Sequence, residues 1–427
     1  MTREDHELLS QTGPGTVMGN FLRRYWTAAL LSRELPEPDG APVRVRLLGE
    51  DLIAFRDSNG RVGLLGEHCS HRGASLYYAR SADCGLRCWF HGWKYDVDGN
   101  CVDQPNEAPQ YRFNDKVKHT AYPCVERNGV VWTYMGPSDK KPEMPELEWL
   151  TVPSSNVYVS KCLRECHWTQ GMEGDLDSVH VGILHADVFN KRAKFLNHES
   201  AKWLVNDSTP REEIVATPAG CLHATYRDAG PESHYWKVAQ WFFPWFTTIP
   251  GFVGDGPLGG HAWVPVDDHR CWVFAFSWHP TRPLTAEELS GKSAVAAFHA
   301  ETIPGTAVTM CNRTNEYAGP NTPPARQPWT RITDVQAQDI AMTESMGYLY
   351  DRTKECLGRS DRLLVLTRRR LVEAAEAVQR GAEPPGMNPK DYRQRPISLT
   401  LPRNVASWTE AIADAIDTRP ETFRASV

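Results

Sequence analysis

Cys69-Ser-His71 and, sixteen residues on, Cys88-Trp-Phe-His91-Gly-Trp-Lys-Tyr-Asp96 form the stretch on which the reading of this chain turns. Each half supplies one Cys and one His. Thiolates suit iron bridged by sulfide, and two imidazoles on the second iron make that half less anionic and raise its reduction potential. A structural zinc site is the rival, since zinc also takes Cys and His in fours. Zinc motifs usually pair like with like, whereas here the pairs are unlike and a Gly-Trp-x-Tyr tail follows His91. These features favour a [2Fe-2S] cluster over zinc.

Outward from this stretch the sequence is β-prone. Val43-Arg-Val-Arg-Leu-Leu48, Asp51-Leu-Ile-Ala-Phe55 and Val62-Gly-Leu-Leu65 are short runs separated by turn residues, and Asp98-Gly99-Asn100 is a hairpin signal beyond the second ligand pair. Two loops projecting from a small β-domain can meet around one cluster. Cys84 and Cys101, beside those loops, read as small buried thiols. Strand signals run through Val130-Val-Trp-Thr-Tyr134, and Pro- and Glu-rich residues follow to Glu148. The expected organisation is therefore α+β, with a helical segment 1–26, an all-β cluster domain 27–148, and a domain 149–427 of antiparallel sheet covered by helices. In the last, Cys221 to Arg227 and His234 to Phe243 predict one hairpin, and Trp263 to Val266 with Cys271 to Trp278 another. Helices are expected around 333–353 and 361–380, and an extended tail over 381–397 and 419–420.

Composition excludes several classes. Lys plus Arg number 47 and Asp plus Glu 53, a formal charge of −6, so no basic field concentrates nucleic acid or anionic membrane. No secretory leader or bilayer-length apolar run is apparent, and the expected location is cytoplasmic. Eleven Cys in 427 residues do not make a disulfide scaffold.

A second motif lies in Asp177-Ser178-Val-His180-Val-Gly-Ile-Leu-His185. Asp177 and His180, three apart, share a helix face. Five residues advance about 500°, which leaves the two His about 140° apart on an ideal helix. If both bind one metal, a π-bulge or helix end must fall between them. Two His and a carboxylate form the facial triad of oxygen-activating iron enzymes. Spacing leaves the carboxylate open among Asp177, Asp339 and Glu344.

With both motifs, the chain resembles a Rieske non-haem iron ring-hydroxylating oxygenase α subunit, most closely the phthalate dioxygenase family. The resemblance also rests on Gly13-Pro-Gly-Thr-Val-Met-Gly19, Glu173-Gly-x2-Asp177, Gln338-Asp339-x4-Glu344 and Asp351-Arg-Thr-Lys-Glu-x-Leu-Gly-x-Ser-Asp361. It implies a helix-grip-like catalytic domain, a Rieske [2Fe-2S] cluster on Cys69, His71, Cys88 and His91, and mononuclear Fe(II) on His180, His185 and Asp339. Glu344 becomes structural. Asp177 falls where the family bridges the two centres, and a carboxylate there can orient His180. It further implies a homotrimer or stacked double trimer in which His91 of one subunit faces Asp177 of the next, and a separate NAD(P)H-dependent flavin and iron–sulfur reductase. The implied reaction is dioxygenation of an aromatic carboxylate to a cis-dihydrodiol, with monooxygenation, O-demethylation or diaryl-ether cleavage as alternatives and a non-catalytic electron carrier as the reading from another class. The expected pocket has aromatic walls and a cation. On strand alternation Arg227 and Lys237 are the carboxylate anchors, and Ser178 a hydrogen-bonding residue. His167 departs from the family's common Asn and is read as a packing residue beside the iron site.

Overall fold

The computed structural model describes residues 1–189, 199–289, 298–318, 332 and 334–418. They divide into two units, one of Gln11–Pro142 with Val264–Asp268, the other of Met1–Ser10, Glu143–Trp263 and His269–Val427. The first break falls at the Pro-rich segment read as a linker. The opening helix, Arg3–Ser10, groups with the second unit.

The first unit is built from small antiparallel sheets. Val43–Leu47, Glu50–Arg56, Val62–Gly66 and Ala121–Tyr122 make one, and Arg80–Ala82, Gly85–Arg87, Lys94–Tyr95 and Cys101–Asp103 another. Alternation puts Ile53, Phe55 and Leu65 into a core shared with Leu76, Leu86, Trp93 and Tyr95. Cys101 is a buried thiol in that core, and Cys84 accepts a hydrogen bond from Asn59 Nδ2.

The second unit is organised by an eight-stranded antiparallel sheet. Its spatial order is Val157–Arg164, Arg270–Trp278, Leu258–Asp267, Phe246–Ile249, Ser233–Phe242, Gly220–Asp228 and Arg211–Thr217, with the eighth strand, Ile397–Pro402, paired to Ser233–Phe242 off this path. The expected hairpin pairs Thr225 with Lys237 and Arg227 with Tyr235. Helix Trp168–Leu176 packs close to the sheet because Gly171 has no side chain: a Cβ there would lie 2.4 Å from the Trp263 ring. Helices Val335–Ser345 and Arg362–Gln379 complete the cover.

The tail reading needs correction where it is described. Ile397–Pro402 pairs with Ser233–Phe242, and Tyr392 is buried. Arg393 and Arg395 bind Glu146 and Glu148 of the same chain. Residues 381–396 run as turns and a short helical turn, Pro389–Tyr392, into that strand, and residues 419–420 lie outside the described residues.

Candidate functional site

The two cluster loops repeat one backbone design. Cys69 N–H donates to Ala74 O at 2.9 Å and Cys88 N–H to Trp93 O at 2.8 Å. Gly73 N–H closes back on Cys69 O, and Gly92 N–H on Cys88 O, at 2.8 and 3.0 Å. Both glycines adopt positive φ, +74° and +80°, which a side chain would resist. Each Cys thus opens a turn closed four and five residues later, which brings Cys-x-His and Cys-x2-His to equivalent places despite their unequal spacing. The His71 and His91 ring centroids lie 4.6 Å apart, and His71 stacks on Trp93. Cys69 and Cys88 are buried, and His71 Nδ1 is buried without a hydrogen-bond partner among the described residues. A buried imidazole nitrogen without a proton partner beside two thiols is the donor set a two-iron cluster completes. Tyr95 supplies a further contact, its hydroxyl 3.2 Å from Cys69 Sγ.

The second centre forms in the helical layer. Helix Trp168–Leu176 starts on an unusual cap, His167, whose Nδ1 accepts from Thr169 N–H. His167 is fully buried, and burial holds its imidazole neutral. It is a helix cap, and the triad forms without it. The helix ends before Asp177, and a separate turn, His180–Ile183, follows and stops before His185. This is the break that the five-residue spacing requires, and it sets the two rings 5.1 Å apart. Asp177 caps that turn: its Oδ1 accepts from Val179 N–H at 2.7 Å, while Oδ2 lies 3.5 Å from His180 Nδ1.

Asp339 arrives on Val335–Ser345, a helix begun by Asp334, whose side chain accepts from Ala337 N–H. Its Oδ1 is 3.0 Å from His185 Nε2 and 3.7 Å from His180 Nε2. The three ligand atoms lie within 4.8 Å of one another, so the residues fit one octahedral-type ion with positions left open. Burial pushes the Asp339 carboxyl up, but His185 and His180 outweigh it and hold it below the ordinary range. Glu344 points elsewhere, accepting from Glu165 N–H and Tyr317 O–H. Sequence reasoning missed Gln338, whose Oε1 sits 2.7 Å from His185 Nδ1 while its Nε2 donates to Ile332 O. An acceptor there keeps the proton on Nδ1 and frees Nε2 for metal. Its only signal was adjacency to Asp339.

A cavity of about 260 Å³ opens beside the triad, small for a ligand site. Phe189, Phe252 and Phe298 give it aromatic walls, and Asp177, Asp175 and Lys237 are among its polar groups. Burial, with Arg227 nearby, pulls the Lys237 ammonium down to about 7. Arg227 shares its sheet face but is not among the cavity residues: Nε donates to Asp207 O and Nη2 to Ser178 O, each at 3.0 Å. Its guanidinium is spent on main chain beside Asp177. Ser178 lines a separate, more polar cavity with Arg211, Glu212 and Tyr226.

A β-domain with a two-Cys, two-His loop pair, followed by a helix-covered sheet holding two His and an Asp, defines a Rieske-type oxygenase subunit. Comparison with known proteins agrees. Residues 25–123 match the Rieske [2Fe-2S] domain, and residues 133–414 the LigXa C-terminal domain like family. The chain is 33% identical over 440 residues to the 3-chlorobenzoate-3,4-dioxygenase oxygenase subunit of Comamonas testosteroni, covering 97% of this chain and 98% of that one. It is 34% identical over 428 residues to the phthalate 4,5-dioxygenase oxygenase subunit of Pseudomonas putida, covering 98% and 94%. The fold is similar to that of a Pseudomonas putida CBB5 NdmA mutant with caffeine, at a TM-score of 0.61 and 18% identity over 92% of this chain and 100% of that one. The chain belongs to the Rieske non-haem iron oxygenase α subunits of the phthalate dioxygenase kind. It is an oxidoreductase whose cofactors are a Rieske cluster and a mononuclear iron, and subunits of such systems work with separate reductases. Among the described residues no helix is long and apolar enough to cross a membrane.

Proposed function

We propose that this subunit hydroxylates a single-ring aromatic carboxylate, phthalate- or benzoate-like, to a cis-dihydrodiol. The observation that carries the reading is a small cavity with aromatic walls, the His180, His185 and Asp339 triad and one half-buried cation, Lys237, on its lining. Cys69, His71, Cys88 and His91 hold the cluster, and His180, His185 and Asp339 the iron. The bound metals supply the redox chemistry, dioxygen activation with electrons delivered one at a time. The residues do the rest. Lys237 holds the carboxylate by a charge-assisted hydrogen bond, the phenylalanines orient the ring and exclude water, and Asp177 orients His180. Ser178 and Arg227 serve the same end indirectly, Arg227 by fixing the main chain beside Asp177.

The resemblance to phthalate-type subunits also supports a closed homotrimer, single or stacked, in which His91 of one subunit delivers the electron toward Asp177 of the next, and a flavin and iron–sulfur reductase driven by NAD(P)H. Product analysis under ¹⁸O₂ with a panel of benzoates and phthalates tests the reading. A dihydrodiol carrying two labelled oxygens is expected. One labelled oxygen would indicate monooxygenation, and an unlabelled phenol from a methoxybenzoate would indicate demethylation. Asp177→Asn with full metal content is expected to transfer electrons far more slowly; unchanged turnover would remove the bridge.

A further inference from the structure

Asp175 lines the iron cavity but lies outside the His180, His185 and Asp339 triad. One edge of its carboxylate is saturated: Oδ2 accepts from Thr247 O–H at 2.5 Å and from Trp263 Nε1–H at 2.8 Å, and lies 2.7 Å from His261 Nδ1. Among the described residues Oδ1 has no hydrogen bond, so that edge is the one left for the cavity. His261 comes from strand Leu258–Asp267 and is 2% exposed.

The geometry counts protons. His261 Nε2 lies 3.1 Å from Phe298 O, and a main-chain carbonyl only accepts, so Nε2 carries hydrogen. At 2.7 Å, a bare Nδ1 lone pair facing an ionised carboxylate would be repelled, so a second proton sits between Nδ1 and Oδ2. Written as carboxylate and imidazolium, or as carboxylic acid and imidazole, the pair holds one proton more than a free carboxylate and a neutral ring. The surroundings agree: burial pulls the imidazole down and Arg164 adds to that, but Asp175 outweighs both. Arg164 lies over the Trp263 ring at 5.9 Å, and the titratable groups on the cavity side are Asp177, His180, His185, Lys237, Asp255 and Asp339.

Oxygenation needs such a proton. Whether the product is a diol or an alcohol and water, one O₂, two electrons and two protons are consumed per substrate. Electrons come from the cluster, but protons must reach a cavity walled largely by apolar side chains. We propose that Asp175 and His261 are a proton-supplying pair for oxygen reduction, with Asp175 as the donor at the cavity wall and His261 as the residue that holds its proton. The His261 Nδ1–H bond breaks as Asp175 Oδ2 takes the proton; rotation of the carboxyl about Cβ–Cγ turns that O–H to the cavity, where it breaks as an O–H bond forms on the oxygen being reduced. The pair is left as carboxylate and neutral imidazole, and one solvent proton restores it. This rests on the oxygenase chemistry and not on which substrate is used.

Three variants of the metal-loaded enzyme test it: Asp175→Asn, His261→Gln, and Thr247→Val, which removes a hydrogen bond to Oδ2 but no proton. The first readout is a differential acid–base titration of the oxidised holoenzyme. His261→Gln should take up about one proton fewer than wild type across the imidazole range; equal uptake would overturn the proposal. The second is the rate at which pre-reduced cluster reoxidises in air-saturated buffer with benzoate as probe, in H₂O and D₂O. Asp175→Asn should be slower by about 100-fold, the lower end for a lost general acid, with metals retained and partial rescue by added formate or imidazole. Three results would each reduce the pair to a structural tether: a wild-type rate and isotope effect in both proton-site variants, slowing only through iron loss, or equal slowing in Thr247→Val. A wild-type enzyme indifferent to benzoate would count against the substrate reading, and the proton count would still decide the pair.

Discussion

The proposed cluster ligands all lie between residues 69 and 91, on two turns with the same hydrogen-bond closure and the same positive-φ glycine. The proposed iron ligands come from two separate stretches, His180 and His185 at an interrupted helix and Asp339 on a helix beyond most of the sheet. Surroundings differ as well. Trp89 and Phe90, inside the second cluster loop, are 74% and 58% exposed, whereas His185 is 2% exposed and faces a cavity with aromatic walls. A local turn can hold its ligands almost alone, but the iron triad depends on how distant helices pack. The cluster site should therefore be robust to distant change and the iron site sensitive to it.

The largest effects come from breaking one centre while sparing the other. Asp339→Ala or His185→Ala should abolish turnover and lower iron from three to two per chain, with the visible spectrum of the cluster intact. Cys88→Ala should do the reverse, bleaching the cluster while the second unit still binds one Fe(II). Loss of both metals in either variant, measured by iron and labile sulfide content, would show that the centres are not built independently.

The same contrast explains what could be read from sequence. Cys69 to His91 is legible because a metal held by two short loops leaves its whole ligand set in one window, and the strands around it alternate clearly. The helix break between His180 and His185 was also legible, because 3.6-residue geometry forbids one ion from meeting both without it. Spacing did not single out Asp339, which came only from the family resemblance, since Asp177 and Glu344 are equally good carboxylates until packing places them: Asp177 becomes the cap of His180–Ile183, and Glu344 accepts from Glu165 and Tyr317. Alternation put Arg227 and Lys237 on one face correctly but could not say that Asp207 and Ser178 carbonyls would occupy the guanidinium. Gln338 was legible only as the neighbour of Asp339, with no role, and His261 not at all, because a single amide or imidazole has no spacing to betray it.

Next in size is Gln338→Leu, which sharpens the dependence of the iron site on its neighbours. Without the 2.7 Å partner of His185 Nδ1, the ring loses its fixed tautomer, and Fe(II) affinity should fall about 10- to 100-fold by metal titration. Gln338→Glu should restore most of it. At Lys237 the expected effect is about tenfold at neutral pH, near the worth of one charge-assisted hydrogen bond. Lys237→Met should raise KM for a carboxylated substrate by that factor and leave an uncharged analogue unaffected. Since this lysine titrates at about 7, it is cationic below that pH and neutral above, so KM for the acid should rise from pH 6 to pH 8. The linked stability has a definite sign. Folding lowers the lysine's proton affinity, so the unfolded chain binds the proton better, and the penalty is complete below about 7 and fades toward the ordinary lysine range. Lys237→Met should therefore raise Tm more at pH 6 than at pH 9.

The smallest effect tests the cluster side. Tyr95 is buried, and burial together with the Cys69 sulfur pushes its phenol far up, so it stays protonated at any working pH. A cluster thiolate carries no proton, so across the 3.2 Å contact the tyrosine must be the donor. A hydrogen bond to a cluster sulfur stabilises the reduced, more negative state more than the oxidised one, and so raises the midpoint potential. Tyr95→Phe keeps the ring against His119, 4.7 Å away, and removes only the hydroxyl. The variant should fold with full cluster content and show a lower midpoint potential in an EPR-monitored redox titration. An unchanged potential would mean that the loop backbone, and not this side chain, sets the poise of the cluster.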